Sequence, residues 1–166
     1  MDTQQTLNLV QTLAERLLAR GWLMAAAESC TGGLIAAACT ELAGSSAWFD
    51  RGFVTYSNQA KTELLGVDAA LIATHGAVSE AVAKAMAEGA VQRAGVQVAV
   101  AVTGIAGPTG GSPDKPVGTV WLAWACKDQP TRSQCCLFEG DRAQIRQQTC
   151  EVALAELVQF VTAAAA

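Results

Sequence analysis

The 166-residue chain is characterised first by what it lacks. No apolar run approaches the ~20 residues that a membrane-spanning helix needs. Met1 to Gln5 has neither the basic opening nor the apolar stretch of a secretory signal peptide. The two absences together argue for a cytoplasmic protein with no membrane partner. Basic residues number 11 against 15 acidic ones, giving a net charge of −4, and no lysine or arginine run occurs. Nucleic-acid binding ordinarily leaves a basic footprint, so it is disfavoured. A small anionic ligand stays compatible, because a few well-placed cations suffice locally. Six cysteines show no C-x-x-C spacing and His75 is the only histidine, so the ligand clusters of a zinc site are missing. Cys39, Cys126 and Cys150 lie in apolar or helical runs as small hydrophobes, and reduced thiols fit a cytosolic chain. No G-x-x-x-x-G-K-[ST] occurs, and Gly104-Ile105-Ala106-Gly107 does not match G-x-G-x-x-G. Nucleoside-triphosphate and dinucleotide folds therefore lose their fingerprints. There are no repeats, linkers or low-complexity segments.

What is present is a chain that should fold: 51% of its residues are hydrophobic, and its length suits one domain over 1–166 with a sizeable core. Leu7, Val10, Ala14, Leu17 and Leu18 keep a three-to-four spacing that predicts an amphipathic helix over 3–20, with Asp2 and Gln5 as a capping box and Gly21 as its stop. Trp22–Ala27 suits a strand buried on both faces, and Thr31–Leu42 an alanine-rich helix ending near Gly44. Ser45–Asp50 reads as a loop or short helical turn, and Arg51–Ser57 as a strand. Ser57 or Asn58 caps a short helix through Lys61, Leu64 and Leu65 that Gly66 ends, and Asp68–Thr74 forms a further helical turn. Ser79 caps a helix running to Ala94, followed by a strand over Val96–Val102. Gly104–Gly118 holds five glycines and three prolines, a loop with special backbone demands. Val117–Cys126 and Ser133–Phe138 read as a hairpin. Asp141 and Gln144 form a second capping box, opening a helix through Ile145, Leu154, Leu157, Val158 and Val161 before a fraying Ala163–Ala166 tail. This alternation predicts the α/β class: a three-layer α/β/α sandwich with a mixed β-sheet.

Three segments leave strands with small and polar residues: Glu28–Gly33, Tyr56–Lys61 and Thr103–Gly111. Ligands of open α/β sheets bind outside the carboxyl ends of strands. Convergence of the three would make a pocket of Ser29, Cys30, Thr31, Tyr56, Asn58, Lys61 and Thr103. The Glu28–Gly33 turn opens a helix, whose N-terminus favours anions and developing negative charge, and its two glycines admit close approach to the backbone. A hydroxyl nucleophile needs a base. His75 sits in a turn entering a helix and reads as a structural or rim residue. Lys61 is the better candidate base if burial lowers its pKa, and Cys30 is a rival nucleophile to Ser29. Arg142 and Arg146 lie four apart near a helix start, suited to phosphate or carboxylate. Each feature also has an ordinary reading: turn glycines, a solvated lysine, surface arginines.

Seven ordered motifs carry more than class-level information: Ala-Glu-Ser-Cys-Thr-Gly-Gly (27–33), Gly-Ser-Ser-Ala-Trp-Phe (44–49), Gly-Phe-Val-Thr-Tyr-Ser-Asn (52–58) with Lys61, His-Gly-Ala-Val-Ser-Glu (75–80), Thr-Gly-Ile-Ala-Gly-Pro-Thr-Gly-Gly (103–111), Lys-Pro-Val-Gly-Thr-Val (115–120) and Gly-Asp-Arg (140–142) with Arg146. Over nearly the whole chain this series resembles the C-terminal domain family of the competence/damage-inducible protein CinA, in its stand-alone nicotinamide-nucleotide amidohydrolase (NMN deamidase, PncC-type) form. The resemblance implies a hydrolase that cuts the carboxamide of nicotinamide mononucleotide, releasing nicotinate mononucleotide and ammonia in pyridine-nucleotide salvage, with no metal and no cofactor. Carried over by motif, Ser29 is the nucleophile, Lys61 the base, and Tyr56 positions or relays the proton. Backbone N–H groups of Cys30, Thr31, Gly32 and Gly33 stabilise the oxyanion. Glu28, Ser46 and Asn58 join the substrate-binding set. Thr103, Gly104, Ile105, Ala106, Gly107, Gly110 and Gly111 wrap the ribose-phosphate, with Arg142 or Arg146 as counter-charge. Longer family members carry an additional N-terminal domain for which 166 residues leave no room. Two rival readings are a non-catalytic paralogue that binds a nucleotide or partner, and an amidase acting on another small amide. A homodimer or other homo-oligomer is expected on base rates, with Trp48-Phe49 as a candidate interface pair.

Overall fold

The computed structural model describes residues 3–164. The chain runs α1 (Thr3–Arg20), β1 (Met24–Glu28), α2 (Leu34–Thr40), a 3-10 turn (Ser45–Ala47), β2 (Phe49–Val54), α3 (Asn58–Leu65), α4 (Ala69–His75), α5 (Glu80–Ala94), β3 (Val98–Gly104), β4 (Thr119–Cys126), β5 (Arg132–Leu137) and α6 (Arg142–Ala163). The sheet order is β2-β1-β3-β4-β5, with β2, β1 and β3 parallel and β4 and β5 antiparallel. The expected mixed sheet is therefore present, with helices on both faces. The expected capping box at Asp2 and the last two residues of the tail lie outside the described residues.

The continuous apolar runs conceal an alternation. Successive strand residues point to opposite faces. Ala25 pairs with Ala99 and Ala99 with Ala125, while Ala27 pairs with Ala101 and Ala101 with Ala123, so one face of three strands is tiled with alanine. That face packs on Leu65, Ile72, Val82, Met86 and Ala90, from α3, α4 and α5. The other face carries Met24, Ala26, Val98, Val100, Val102, Leu122 and Trp124, against Leu13, Leu17, Ile35, Leu154 and Leu157 from α1, α2 and α6. Each buried Val or Leu there is worth about 1.5–3 kcal/mol.

Element ends differ from expectation where tertiary contacts take over. α2 begins at Leu34, not Thr31, because Gly32 (φ 60°) and Gly33 (φ 102°) are left-handed, a conformation that side chains penalise. β2 ends at Val54 after one last ladder bond, from the Thr55 N–H to the Glu28 carbonyl, and Ser57 Oγ then accepts from the Ala60 N–H as N-cap of α3. Asp68, Ser79 and Asp141 cap α4, α5 and α6, the last with its capping box complete. Trp48, expected at an interface, is 1% exposed within the chain and stacks edge-on against Phe49. Its carbonyl accepts the Met24 N–H at the start of the β1–β2 pairing, and its indole packs in the core on the α1, α2 and α6 side of the sheet. No helix among the described residues is long and apolar enough to cross a membrane.

Candidate active site

The alternation that tiles the sheet also sorts the first motif. Glu28 continues the face of Met24 and Ala26, toward α2 and α6, and Ser29 turns to the opposite side, toward α3. The Ser29 N–H donates to the Val102 carbonyl at 3.1 Å, extending the β1–β3 pairing by one step. On α3, Lys61 points back toward the sheet. Its Nζ donates to Ser29 Oγ at 3.0 Å and to the Thr55 carbonyl at 2.8 Å. Lys61 is 1% exposed and takes part in no described salt bridge. Burial of its ammonium pushes the Lys61 pKa below the usual lysine value, and nearby Cys30 opposes that shift weakly. Three N–H donors of the charged form meet two acceptors, which further disfavours it.

A cleft of about 220 Å³ opens over this pair. Ser29, Cys30, Tyr56, Asn58, Lys61, Thr103, Gly104, Ala106 and Arg142 line it, so the three expected segments and α6 converge. Ala77 and Val78 complete the lining and were not singled out from sequence. Their signal was the 75–80 motif, read for His75 alone. His75 is exposed and contributes its carbonyl to Lys115 Nζ, which also donates to the Val78 carbonyl at 2.7 Å. Thr103 Oγ1 donates to the Ala77 carbonyl at 2.9 Å, tying β3 to the α4–α5 connection. Gly104 admits the close passage of β4, since a Cβ there would lie 2.6 Å from Val120 Cγ2.

Several expected substrate contacts have other work. Glu28 is fully buried and faces away from the cleft. Its Oε2 accepts from Thr31 Oγ1 at 2.6 Å and from the N–H groups of Gly33 and Ile35, and its Oε1 accepts from the Ala36 N–H. The carboxylate occupies the helix N-terminus that would otherwise receive an anion. Glu28 and Thr31 therefore hold the turn instead of substrate. The Gly33 N–H is spent on Glu28, and the Gly32 N–H donates to the Ser29 carbonyl at 3.1 Å. Of the four N–H groups expected to face an oxyanion, only those of Cys30 and Thr31 make no described hydrogen bond to another residue, the Cys30 N–H meeting only its own Sγ.

The two arginines separate. Arg142 reaches the cleft, where its Nη1 donates to the Gly107 carbonyl at 2.8 Å and its Nη2 to Tyr56 Oη at 2.7 Å. Arg146, one turn later, donates to the carbonyls of Cys30 and Thr31 and does not line the cleft. Tyr56, 60% exposed, has Arg142 as its described partner and stands at the rim, not between Ser29 and Lys61. Tyr56 lines the same cleft but makes no described hydrogen bond to Ser29 or Lys61, which meet each other directly. Ile105, Gly107, Gly110 and Gly111 sit outside the lining: the loop folds back on β4, with Ile105 N–H to the Thr119 carbonyl and Gly118 N–H to the Ile105 carbonyl. Ser46 is a further correction. It precedes β2, whose first residue pairs with the first residue of β1, so it lies at the opposite end of the parallel strands from Ser29. Burial pushes the Cys30 thiol up to about 11, so it is neutral at pH 7 and a poor rival nucleophile.

Residues 6–161 match the model of the CinA C-terminal domain family, and the chain belongs to that family. It is 54% identical to the nicotinamide-nucleotide amidohydrolase PncC of Enterobacter agglomerans over 148 residues, 89% of this chain and 90% of that protein. It is 49% identical to the protein of the same name from Escherichia coli K12, covering 96% of each. A CinA-like protein of Syntrophobacter fumaroxidans is 54% identical over 154 residues, but the chain spans only 36% of that longer protein. Among solved structures, the competence/damage inducible protein CihA of Agrobacterium tumefaciens superposes with a TM-score of 0.91 at 45% identity, covering 95% of this chain and 96% of that one.

Proposed function

We propose that this chain is a nicotinamide-nucleotide amidohydrolase that converts the carboxamide of nicotinamide mononucleotide to the carboxylate by serine acyl transfer, releasing ammonia. The observation that carries the reading is the 3.0 Å approach of a buried lysine, with no carboxylate partner among the described residues, to the Ser29 hydroxyl inside a cleft. The names of the PncC relatives, alike over nearly their full length, supply the substrate.

In this reading neutral Lys61 accepts the Ser29 proton as Oγ bonds to the carboxamide carbon, and the carbonyl π electrons move onto oxygen. The Cys30 and Thr31 N–H groups, neither bonded to another described residue, are the donors that meet that oxyanion, such a donor being worth about 2.7–4 kcal/mol in other hydrolases. Collapse breaks the C–N bond, the Lys61 ammonium returns its proton to the leaving nitrogen, and ammonia departs. Water, deprotonated by the same lysine, then attacks the Ser29 ester; the C–Oγ bond breaks, the Lys61 ammonium returns the proton to Ser29 Oγ, and the carboxylate leaves. The Thr55 carbonyl holds Lys61 Nζ in place throughout. The cleft is smaller than ligand pockets of ~300–1,000 Å³, so part of a mononucleotide lies across its open rim. Arg142 stands there as the cation for the phosphate. The proposal takes 1–166 as one domain acting in the cytoplasm on a diffusible mononucleotide, with a homo-oligomer still expected.

An ammonia-release assay with purified protein tests it. Wild type turns over nicotinamide mononucleotide, and Ser29→Ala loses at least ~10³-fold in kcat while melting cooperatively. Wild-type protein that binds the mononucleotide and releases nothing refutes the enzyme reading and favours the non-catalytic paralogue. Turnover of a different amide in preference would shift the substrate.

A further inference from the structure

We propose that Arg146 sets the oxyanion site from a distance, acting through the peptide groups of the 29–32 turn without touching substrate. The inference rests on the acyl-transfer reading above. A trans peptide is planar, with its C=O and N–H pointing in opposite directions. Whatever holds the oxygen of an amide therefore aims its N–H. Arg146 Nε donates to the Cys30 carbonyl at 3.1 Å, and the other end of that amide is the Thr31 N–H. Arg146 Nη2 donates to the Thr31 carbonyl at 2.8 Å, and the other end of that amide is the Gly32 N–H. The Gly32 N–H donates to the Ser29 carbonyl at 3.1 Å, whose amide ends in the Cys30 N–H.

The Thr31 and Cys30 N–H groups, the two with no described bond to another residue, are thus the far ends of hydrogen-bonded chains that start on one guanidinium. One chain crosses a single amide and the other crosses two. Hydrogen bonds in series polarise one another, so a cation at the head strengthens the donors at the tail as well as directing them. Glu28 works from the other side, taking Thr31 Oγ1 and the N–H groups of Gly33, Ile35 and Ala36. The turn is fixed by an anion on its helix-entry donors and by a cation on its carbonyls. α6 consequently supplies two guanidiniums four residues apart with different tasks: Arg142 in the cleft and Arg146 behind the turn. Arg146 is a positioning residue.

The test compares Arg146→Gln and Arg146→Lys with Arg142→Gln, reading kcat and KM for ammonia release. It also reads binding of nicotinate mononucleotide, and of pyridine-3-boronic acid, which forms a tetrahedral adduct with a serine oxygen. Arg146→Gln should lower kcat about 10- to 100-fold, less than outright loss of an oxyanion donor. KM and nicotinate mononucleotide affinity should stay within about threefold, with boronate affinity falling in step with kcat. Arg146→Lys, keeping a cation with fewer directed donors, should fall between, and it carries the test if the glutamine variant does not fold. Arg142→Gln should instead raise KM. Loss of nicotinate mononucleotide affinity at unchanged kcat in the Arg146 variants overturns the inference and makes Arg146 a substrate counter-charge. Wild-type boronate affinity in a folded Arg146 variant also overturns it, whether or not the protein releases ammonia. Absence of wild-type turnover refutes the proposed reaction instead, and the boronate comparison then decides the Arg146 question alone.

Discussion

Replacing Lys61 by methionine removes the buried ammonium and keeps an unbranched side chain of similar length. The exchange frees the core of a poorly solvated charge and leaves the Thr55 carbonyl unpaired, at a cost of about 1–3 kcal/mol. These effects oppose one another, so the variant should stay folded while kcat falls by about 10²–10⁴, the usual contribution of a positioned base. The sharper readout is stability against pH. Burial lowers the folded-state pKa of Lys61 below its ordinary value of 10.5. Below the lowered value both states hold the proton and Lys61 adds no slope. Between the lowered value and 10.5 the unfolded chain binds a proton that the folded chain has released, so stability rises with pH. One proton gives a slope of at most about 1.4 kcal/mol per pH unit, or roughly 3–6 °C in Tm for a domain of this size. Buried thiols work the other way: Cys30, pushed up from 9.0 to about 11, favours the folded state less as pH rises between those values. Loss of the Lys61 charge raises the Cys30 thiol further, so the comparison is made in a Cys30→Ala background, where that contribution is absent from both proteins. Thermal melts with Lys61 and with Lys61→Met in that background, from neutral pH to the ordinary lysine value, should diverge with the Lys61 protein gaining. The divergence should begin at the pH where kcat/KM of the Lys61 protein levels off. Parallel melting curves throughout would mean that Lys61 titrates normally, and a lysine protonated at neutral pH cannot take the Ser29 proton.

Three further outcomes test other parts of the site. Cys30→Ala should keep kcat within about tenfold, and thiol reagents at neutral pH should inactivate the wild type slowly, because a thiol raised to about 11 presents little thiolate. Glu28→Gln turns an NH2 against a site lined with donors, so at least one loses its acceptor. At about 1.5–3 kcal/mol for a hydrogen bond to a charged group, Tm should drop by roughly 3–12 °C. Tyr56→Phe removes the hydroxyl that Arg142 holds at the rim, and should raise KM about two- to tenfold, near 0.5–1.5 kcal/mol, with little change in kcat. A collapse of kcat in steady-state assays would restore Tyr56 to the proton path.

Local chemistry made much of the fold legible. Ser57, Ser79 and Asp141 cap the helices they were expected to cap, and glycines follow α3, α4 and α5. Strand ends were less legible, since β2 stops at Val54 where Ser57 caps the next helix, inside a run whose composition stays strand-like to Tyr56. The alanine face was invisible in a run that reads as uniformly apolar, and the burial of Trp48 was mistaken for interface because a tryptophan beside a phenylalanine reads the same in either setting.

For the site, residue type and order sufficed to nominate Ser29, Lys61, Thr103 and Arg142, and motif order alone pointed to the CinA C-terminal domain family. Those signals are short-range, and they live in the chain itself. The pairing of Lys61 Nζ with Ser29 Oγ, the diversion of Glu28 to the helix entry, the exclusion of Ser46 and the separate tasks of Arg142 and Arg146 were decided only by tertiary structure. The reason is directional. A carboxylate, a hydroxyl and a guanidinium advertise what they can bond, but strand alternation, the parallel order of β2, β1 and β3, and one turn of α6 determine what each one faces.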